Sequence, residues 1–242
     1  MSIKRKNLAF LFLLVLAPSS GQARDFSVPG DFSTISQAIE AARAGDRVVV
    51  RPGRYHEQLV MKEGVAVVSY ASEGGNEKID GPGQKKVLKR AAGTIIDGED
   101  LPAKPMVSFP AGITRRTVLD GFTITGMPPV DHTRPGHAHT VECRGSSPVI
   151  RNNIIYDNGS TGIGSHGTFK GRDFRKEDLS LTAAPLIENN VVYENVGAGI
   201  GNNHYSRATI INNEVFGQIS EDNHPAPGIG VQHGASPLIK GN

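Results

Sequence analysis

PVIRNNIIYDNGSTGIG, residues 148–164, returns at 185–201 as PLIENNVVYENVGAGIG. Position for position, Ile150 matches Ile187, Asn153 matches Asn190, Tyr156 matches Tyr193 and Ile163 matches Ile200. A weaker copy, ATIINNEVFG, places Ile210, Asn213 and Phe216 alike, and SPLIKGN opens another that stops at Asn242. Upstream, TVLDGFTITG (117–126) and TIIDG (94–98) read as degenerate copies. With Ile96, Leu119, Ile150, Ile187, Ile210 and Ile239 as one column, the intervals are 23, 31, 37, 23 and 29. The shortest recurs and the rest only exceed it, which defines a 23-residue unit carrying insertions, the mark of a repeat architecture.

The unit has no room for a helix hairpin. Each copy holds short β-rich runs and a Gly-Ile-Gly segment, broken by Gly, Asn and Pro. Three short strands and three turns make one coil of a parallel β-helix. Stacked coils bring equivalent residues to about 4.8 Å, the spacing of paired strands. Asn153, Asn190, Asn213 and Asn242 are then expected to form a structural ladder, and Tyr156, Tyr193 and Phe216 an aromatic stack supporting the core.

The NN-bearing coils and the opening DFSTISQAIEAARAGDRVVVRPGRYHE resemble the right-handed parallel β-helix repeat proteins of the pectin-lyase-like superfamily. They are most similar to its exported bacterial members and to the periplasmic copper-associated group. The resemblance covers nearly all of the chain past residue 23. It implies an all-β, right-handed β-helix solenoid with an N-terminal capping helix. It leaves function open, because the fold carries many activities and many non-catalytic roles.

Residues 1–23 read as a secretory signal: Lys4, Arg5 and Lys6, the apolar run LAFLFLLVLA, and a small-residue cleavage site ending at Ala23. That run is too short to span a bilayer comfortably, so no transmembrane anchor is expected after cleavage, and the location is periplasmic or secreted. Three of the 26 basic residues and none of the 24 acidic ones lie in this segment, so the remainder carries a net charge of −1. Such a balance argues against nucleic acid as a partner. The single cysteine, Cys143, excludes an internal disulfide framework.

Residues 24–50 form the expected cap. Thr34-x-x-Gln37 is a capping box, Ile35, Ala38, Ile39 and Ala42 share one helical face, and Gly45 is expected to close the helix. Residues 51–242 supply the coils. The sequence stops mid-coil, which predicts continuation of the stack in a longer protein or against a partner. Lys85, Lys86, Lys89 and Arg90 form a basic run that is either solvated surface or a contact for an acidic polysaccharide.

Three insertions carry the polar chemistry, as loops on a rigid scaffold do. The first (127–139) brings His132, His137 and His139. The second, after Gly164, carries His166, Lys170 and Arg172. The third (217–227) carries Glu221, Asp222 and His224. His204 and His233 each stand five residues after the first glycine of a Gly-Ile-Gly segment, so they are expected to stack on adjacent coils. With His132, His137 and His139 they are candidate ligands for a metal such as Cu or Zn. The superfamily resemblance implies a different chemistry, a carboxylate-bound Ca²⁺ with an Arg or Lys base in lyases, or paired carboxylates in hydrolases. Glu221, Asp222 and Arg172 are the catalytic candidates for it. The Gly-Ile-Gly column sends Ile163, Ile200 and Ile229 inward and leaves an outward glycine stripe that a ligand could approach closely, or that merely suits the coil corners.

Three functions follow. The first is an exported, non-catalytic scaffold binding polysaccharide or another envelope ligand along its side. The second is a polysaccharide lyase or related carbohydrate-active enzyme. The third is a periplasmic copper-handling protein.

Overall fold

The computed structural model describes residues 22–71, 76–133, 137–170 and 176–242; residues 1–21 of the expected leader lie outside them, as does the catalytic candidate Arg172. Among the described residues, three long parallel sheets run side by side along one axis. The first has eight strands, in order Asp25–Val28, Arg47–Val50, Ala66–Ser69, Val118–Asp120, Val149–Arg151, Leu186–Glu188, Thr209–Ile211 and Leu238–Lys240. The second stacks Gly53–Tyr55, Thr94–Asp97, Thr123–Thr125, Ile154–Tyr156, Val191–Tyr193 and Glu214–Phe216. The third stacks Leu59–Val60, Val107–Phe109, Val141–Arg144, Ile163–His166, Ile200–Asn203 and Ile229–Val231. The chain visits the three in turn, once per coil. This is a right-handed parallel β-helix, the hand that parallel crossovers take.

Inside, columns of Val, Ile and Leu meet along the axis. The first-sheet column is Val48, Val67, Leu119, Ile150, Ile187, Ile210 and Ile239. Ile96 does not belong to it: it pairs with Ile124 and Tyr55 in the second sheet. TIIDG mimics TVLDG by composition, but Asp97 is level with Thr125 and Asp120 with Arg151, so the two aspartates share no column.

The asparagine ladder is present. Asn153 Nδ2 donates to Asn190 Oδ1 at 3.1 Å, Asn190 Nδ2 to Asn213 Oδ1 at 2.9 Å, and Asn213 Nδ2 to Asn242 Oδ1 at 2.8 Å. Each oxygen also accepts the backbone N–H of the preceding rung, so the buried turn is satisfied without water. A second ladder, Asn158–Asn195–Gln218, repeats the device five residues later.

The helix Ile35–Ala41 covers the first coil with Ile35, Ala38 and Ile39 buried. Thr34 Oγ1 accepts from Gln37 N at 3.2 Å, as a capping box requires, but the helix ends at Ala42, not Gly45, which makes the following turn at φ +100°. Glu57 adds a carboxylate cap, accepting from the backbone N–H of Ile35 and of Ser36, both at 2.9 Å. Glu57 of the RYHE segment therefore serves as a helix cap.

Between its first- and second-sheet strands the second coil sends out a strap. Lys78–Asp80 and Lys86–Leu88 form an antiparallel hairpin, followed by the short helix Lys89–Gly93. Val87, Leu88 and Ala91 bury against Ile154 and Val191, with Tyr156, Tyr193 and Phe216 packed at the edge. The aromatic stack thus forms, with centroids 4.9 and 5.2 Å apart, but on the outside of the second sheet beneath the strap and not in the core. The basic run divides: Arg90 is largely buried, while Lys86 and Lys89 stay on the solvated surface. Arg90 pairs with Asp120 at 2.6 Å and Lys89 with Glu77 at 3.0 Å, while the Lys85 ammonium donates to the Asn212 carbonyl.

Glu63 ties the third-coil entry to the second coil, accepting from Thr114 N at 2.8 Å, Thr114 Oγ1 at 2.7 Å and Arg116 Nη2 at 3.0 Å. The Thr114 backbone N–H leads the interactions that push its pKa down to about 2 from 4.5. A carboxylate depressed on folding stabilises fully above its unfolded pKa and loses that contribution as pH falls towards the folded one. Between pH 4.5 and 2, Glu63→Gln is expected to flatten the fall in stability with acidification, measured by urea midpoints across that range. An unchanged slope would mean other carboxylates carry it. No helix among the described residues is long and apolar enough to cross a membrane.

Candidate functional site

Strand alternation builds the site on the outer face of the third sheet. In Val141–Arg144, Val141 and Cys143 point into the core, which sends Glu142 and Arg144 outward. The register then aligns Arg144 with His166 and Asn203 on successive coils, and Glu142 with Gly164, Gly201 and Gly230. Just past the strands, His204 and His233 adopt left-handed backbone at φ +50° and +48°. The turns stack through Gly167 N–H to His204 O at 3.0 Å and Tyr205 N–H to His233 O at 3.1 Å. Ring registration follows: His204 and His233 lie 4.9 Å apart and 7° from parallel, the stacking that their common spacing predicts.

The first insertion continues this file. His139 stacks on His166 at 4.6 Å and 8°, His137 meets His139 edge-on at 4.9 Å, and His132 meets His137 at 4.8 Å. His166 and His204 close the gap at 5.9 Å. Six of the chain's eight histidines are thus joined in one series of ring contacts, four of them (His139, His166, His204 and His233) following successive coils. His139 reaches it by lying over Gly164, where any Cβ would collide with its ring. One position of the outward glycine stripe is therefore covered by the chain's own imidazole.

The three insertions converge here. His132 N donates to Glu221 Oε1 at 3.3 Å, joining the first and third. The hairpin Thr168–Phe169/Leu179–Leu181 of the second places Phe169 at 5.9 Å from His204. Between them lies a cleft of about 600 Å³, lined by the six imidazoles together with Thr133, Arg144, Asn203, Tyr205 and Gln232. Among the described residues no carboxylate lines it. Glu142 sits behind Arg144, accepting from Nη2 at 2.9 Å, and Glu221 stands at the rim, 3.8 Å from His132 Nε2. Asp222 and His224 are exposed and, like His56, lie outside the lining.

Three of these imidazoles, those of His139, His166 and His204, are biased towards the neutral form. Burial is the main cause of the lowered pKa of His139 and of His166, the latter pushed down to about 3; neighbouring histidines and Arg144 add to it. His204 is lowered in the same way, by burial and then by His233. The buried atoms His132 Nε2, His139 Nδ1 and His166 Nε2 have no hydrogen-bond partner among the described residues. A neutral imidazole brings one donor and one acceptor nitrogen, so the cleft carries unspent capacity of both kinds.

All five histidines singled out as metal candidates thus meet, while Glu221 and Asp222 form no acid pair in the cleft. Spacing missed His166, because it stands four residues after its first glycine where His204 and His233 stand five. The signal was the shared strand: Ile163-Gly164-Ser165-His166 aligned with Ile200-Gly201-Asn202-Asn203 sets His166 one position before His204.

No curated protein matches the chain. Among solved structures, the A-module of the mannuronan C-5 epimerase AlgE4 of Azotobacter vinelandii is similar at 18% identity and a TM-score of 0.43, over 81% of this chain and 57% of that one. A pectin methylesterase in complex with a hexasaccharide is similar at 13% identity and a TM-score of 0.42, over 86% and 69%. The AlgE6 A-module of the same Azotobacter species gives 18% identity and 0.35, over 74% and 50%. The chain therefore spans little more than half of the first of these. A family model matches residues 25–180, and the chain belongs to that family, described as a protein of unknown function (DUF1565).

Proposed function

We propose that this protein is an exported, non-catalytic β-helix scaffold that holds a carbohydrate chain in the histidine cleft. The lining carries the reading. Imidazole edges, the Asn203 and Gln232 amides, the Tyr205 and Thr133 hydroxyls and the Arg144 guanidinium offer donors and acceptors on one wall of a cavity of about 600 Å³. That volume suits a bound ligand, and such a mix of donors and acceptors matches the paired hydroxyls of a sugar. The imidazoles repeat along the axis at 4.6 to 5.9 Å, so an extended chain laid lengthwise meets a polar edge at each step. Export rests on the leader of residues 1–23, and would put the ligand in the envelope or outside the cell.

The test is calorimetry of the processed protein with uronic-acid and neutral oligosaccharides, with and without Ca²⁺, while ultraviolet absorbance follows unsaturated product. Binding without product, weakened roughly tenfold by Asn203→Ala with Gln232→Ala, is the expected result. Product formation would replace the scaffold with a lyase. Silence across the panel would sink the carbohydrate reading altogether.

A further inference from the structure

The file of histidines has a second use that does not rest on carbohydrate binding. Six imidazoles are a concentrated set of borderline nitrogen donors, and His139 and His166 are only 4% and 7% exposed. Leaving His139 Nδ1 and His166 Nε2 buried with no hydrogen-bond partner among the described residues carries a desolvation penalty that coordination would remove. The absence of carboxylates from the lining among the described residues disfavours Ca²⁺, which takes about six to eight oxygen ligands, and suits the metals that imidazole prefers.

From this geometry we propose that the histidine file binds a borderline divalent transition-metal ion, Cu²⁺ or Zn²⁺, between neighbouring stacked imidazoles. The pairs His139–His166 and His204–His233 are the two positions. Their ring centroids lie 4.6 and 4.9 Å apart with the planes nearly parallel, so the in-plane nitrogen lone pairs run side by side, whereas two nitrogens each about 2.0–2.1 Å from one ion must converge on it from at most about 4 Å apart. Binding therefore requires one ring of a pair to rotate out of the stack so that both lone pairs meet at the ion. Among the described residues no three ligating side chains already surround one point, so the site is a two-imidazole seat completed by water or by a bound ligand. Arg144 opposes the ion's charge, and Glu142, paired with it at 2.9 Å, offsets part of that opposition. The cleft is far larger than an ion, which leaves room for a ligand beside the metal.

The experiment is titration of the metal-stripped full chain with Zn²⁺ or Cu²⁺ alone by calorimetry, with electron paramagnetic resonance of the Cu²⁺ form. The wild type is expected to show nitrogen hyperfine structure from at least two imidazoles. His166→Ala with His204→Ala is expected to weaken binding about a hundredfold, and His224→Ala, outside the cleft, to leave it unchanged. Circular dichroism of the double variant checks that it is folded. Because the copper spectrum is read on the wild type, a variant that fails to fold leaves the question decidable. An oxygen-only copper spectrum, no binding of either ion, or binding that survives in a folded double variant would overturn the site. Glycan calorimetry repeated in chelator separates the two readings, since loss of metal binding alone leaves the carbohydrate result standing.

Discussion

Asn190→Leu is expected to lower stability by about 2–5 kcal/mol. The side chain is fully buried and serves three neighbours at once. Its Oδ1 accepts from Asn153 N at 3.0 Å and Asn153 Nδ2 at 3.1 Å, while its Nδ2 donates to Ile150 O at 3.0 Å and Asn213 Oδ1 at 2.9 Å. Leucine fills nearly the same space but strands the Asn153 N–H and the Ile150 carbonyl, at about 1–3 kcal/mol each. The matched control is Asn242→Leu on an exposed rung, where water replaces the lost amide and the cost is expected to stay below about 1 kcal/mol. Urea midpoints of the two variants decide the matter. Equal losses would show that the ladder acts by packing volume, with its hydrogen bonds contributing nothing.

Asp120→Ala should be as severe, about 3–5 kcal/mol, for an electrostatic reason. Its carboxylate accepts from Arg90 Nη2 at 2.6 Å, Arg151 Nε at 2.9 Å and Asn152 Nδ2 at 2.9 Å. Arg151 can turn to solvent, but the Arg90 side chain is only 10% exposed and would be left as a buried, uncompensated charge. Arg90 also fastens the strap to the coils, through Ser69 Oγ at 2.7 Å and the Asp120 carbonyl at 3.0 Å. The variant should therefore be cut by protease within residues 76–93 before the coils are. Adding Arg90→Met should restore much of the loss, because it removes the stranded charge. A double variant as weak as Asp120→Ala would point to backbone distortion instead.

What the sequence made legible depended on whether a position repeats. Asn153, Asn190 and Asn213 recur with their flanking residues, so the coil, its length and the ladder could be read from the residues alone. The stacking of His204 on His233 was readable for the same reason. The seat of His139 was not, since it comes from a loop that occurs once, and its place over Gly164 depends on a path no other coil takes. Ile96 was misplaced because the strap separates Val67 from Leu119 by 52 residues, which hides the true column and leaves a second-sheet strand looking like the first. The strap itself was invisible: a basic, glycine-rich stretch resembles a solvated linker until Val87 and Leu88 find the apolar edge that Ile154 and Val191 leave uncovered.

That strap changes how the molecule should fold. In a simple stack each repeat touches only its neighbours, so coils can melt or form a few at a time. Here Gln84 N and Lys85 N donate to Glu214, about 130 residues away, tying an excursion from the second coil to the second-sheet strand Glu214–Phe216 four coils on. An early coil thus cannot reach its final form until a late one exists to receive it. Such a long closure makes folding slow and joins the intervening coils into one cooperative unit, where a plain solenoid would fray from its end.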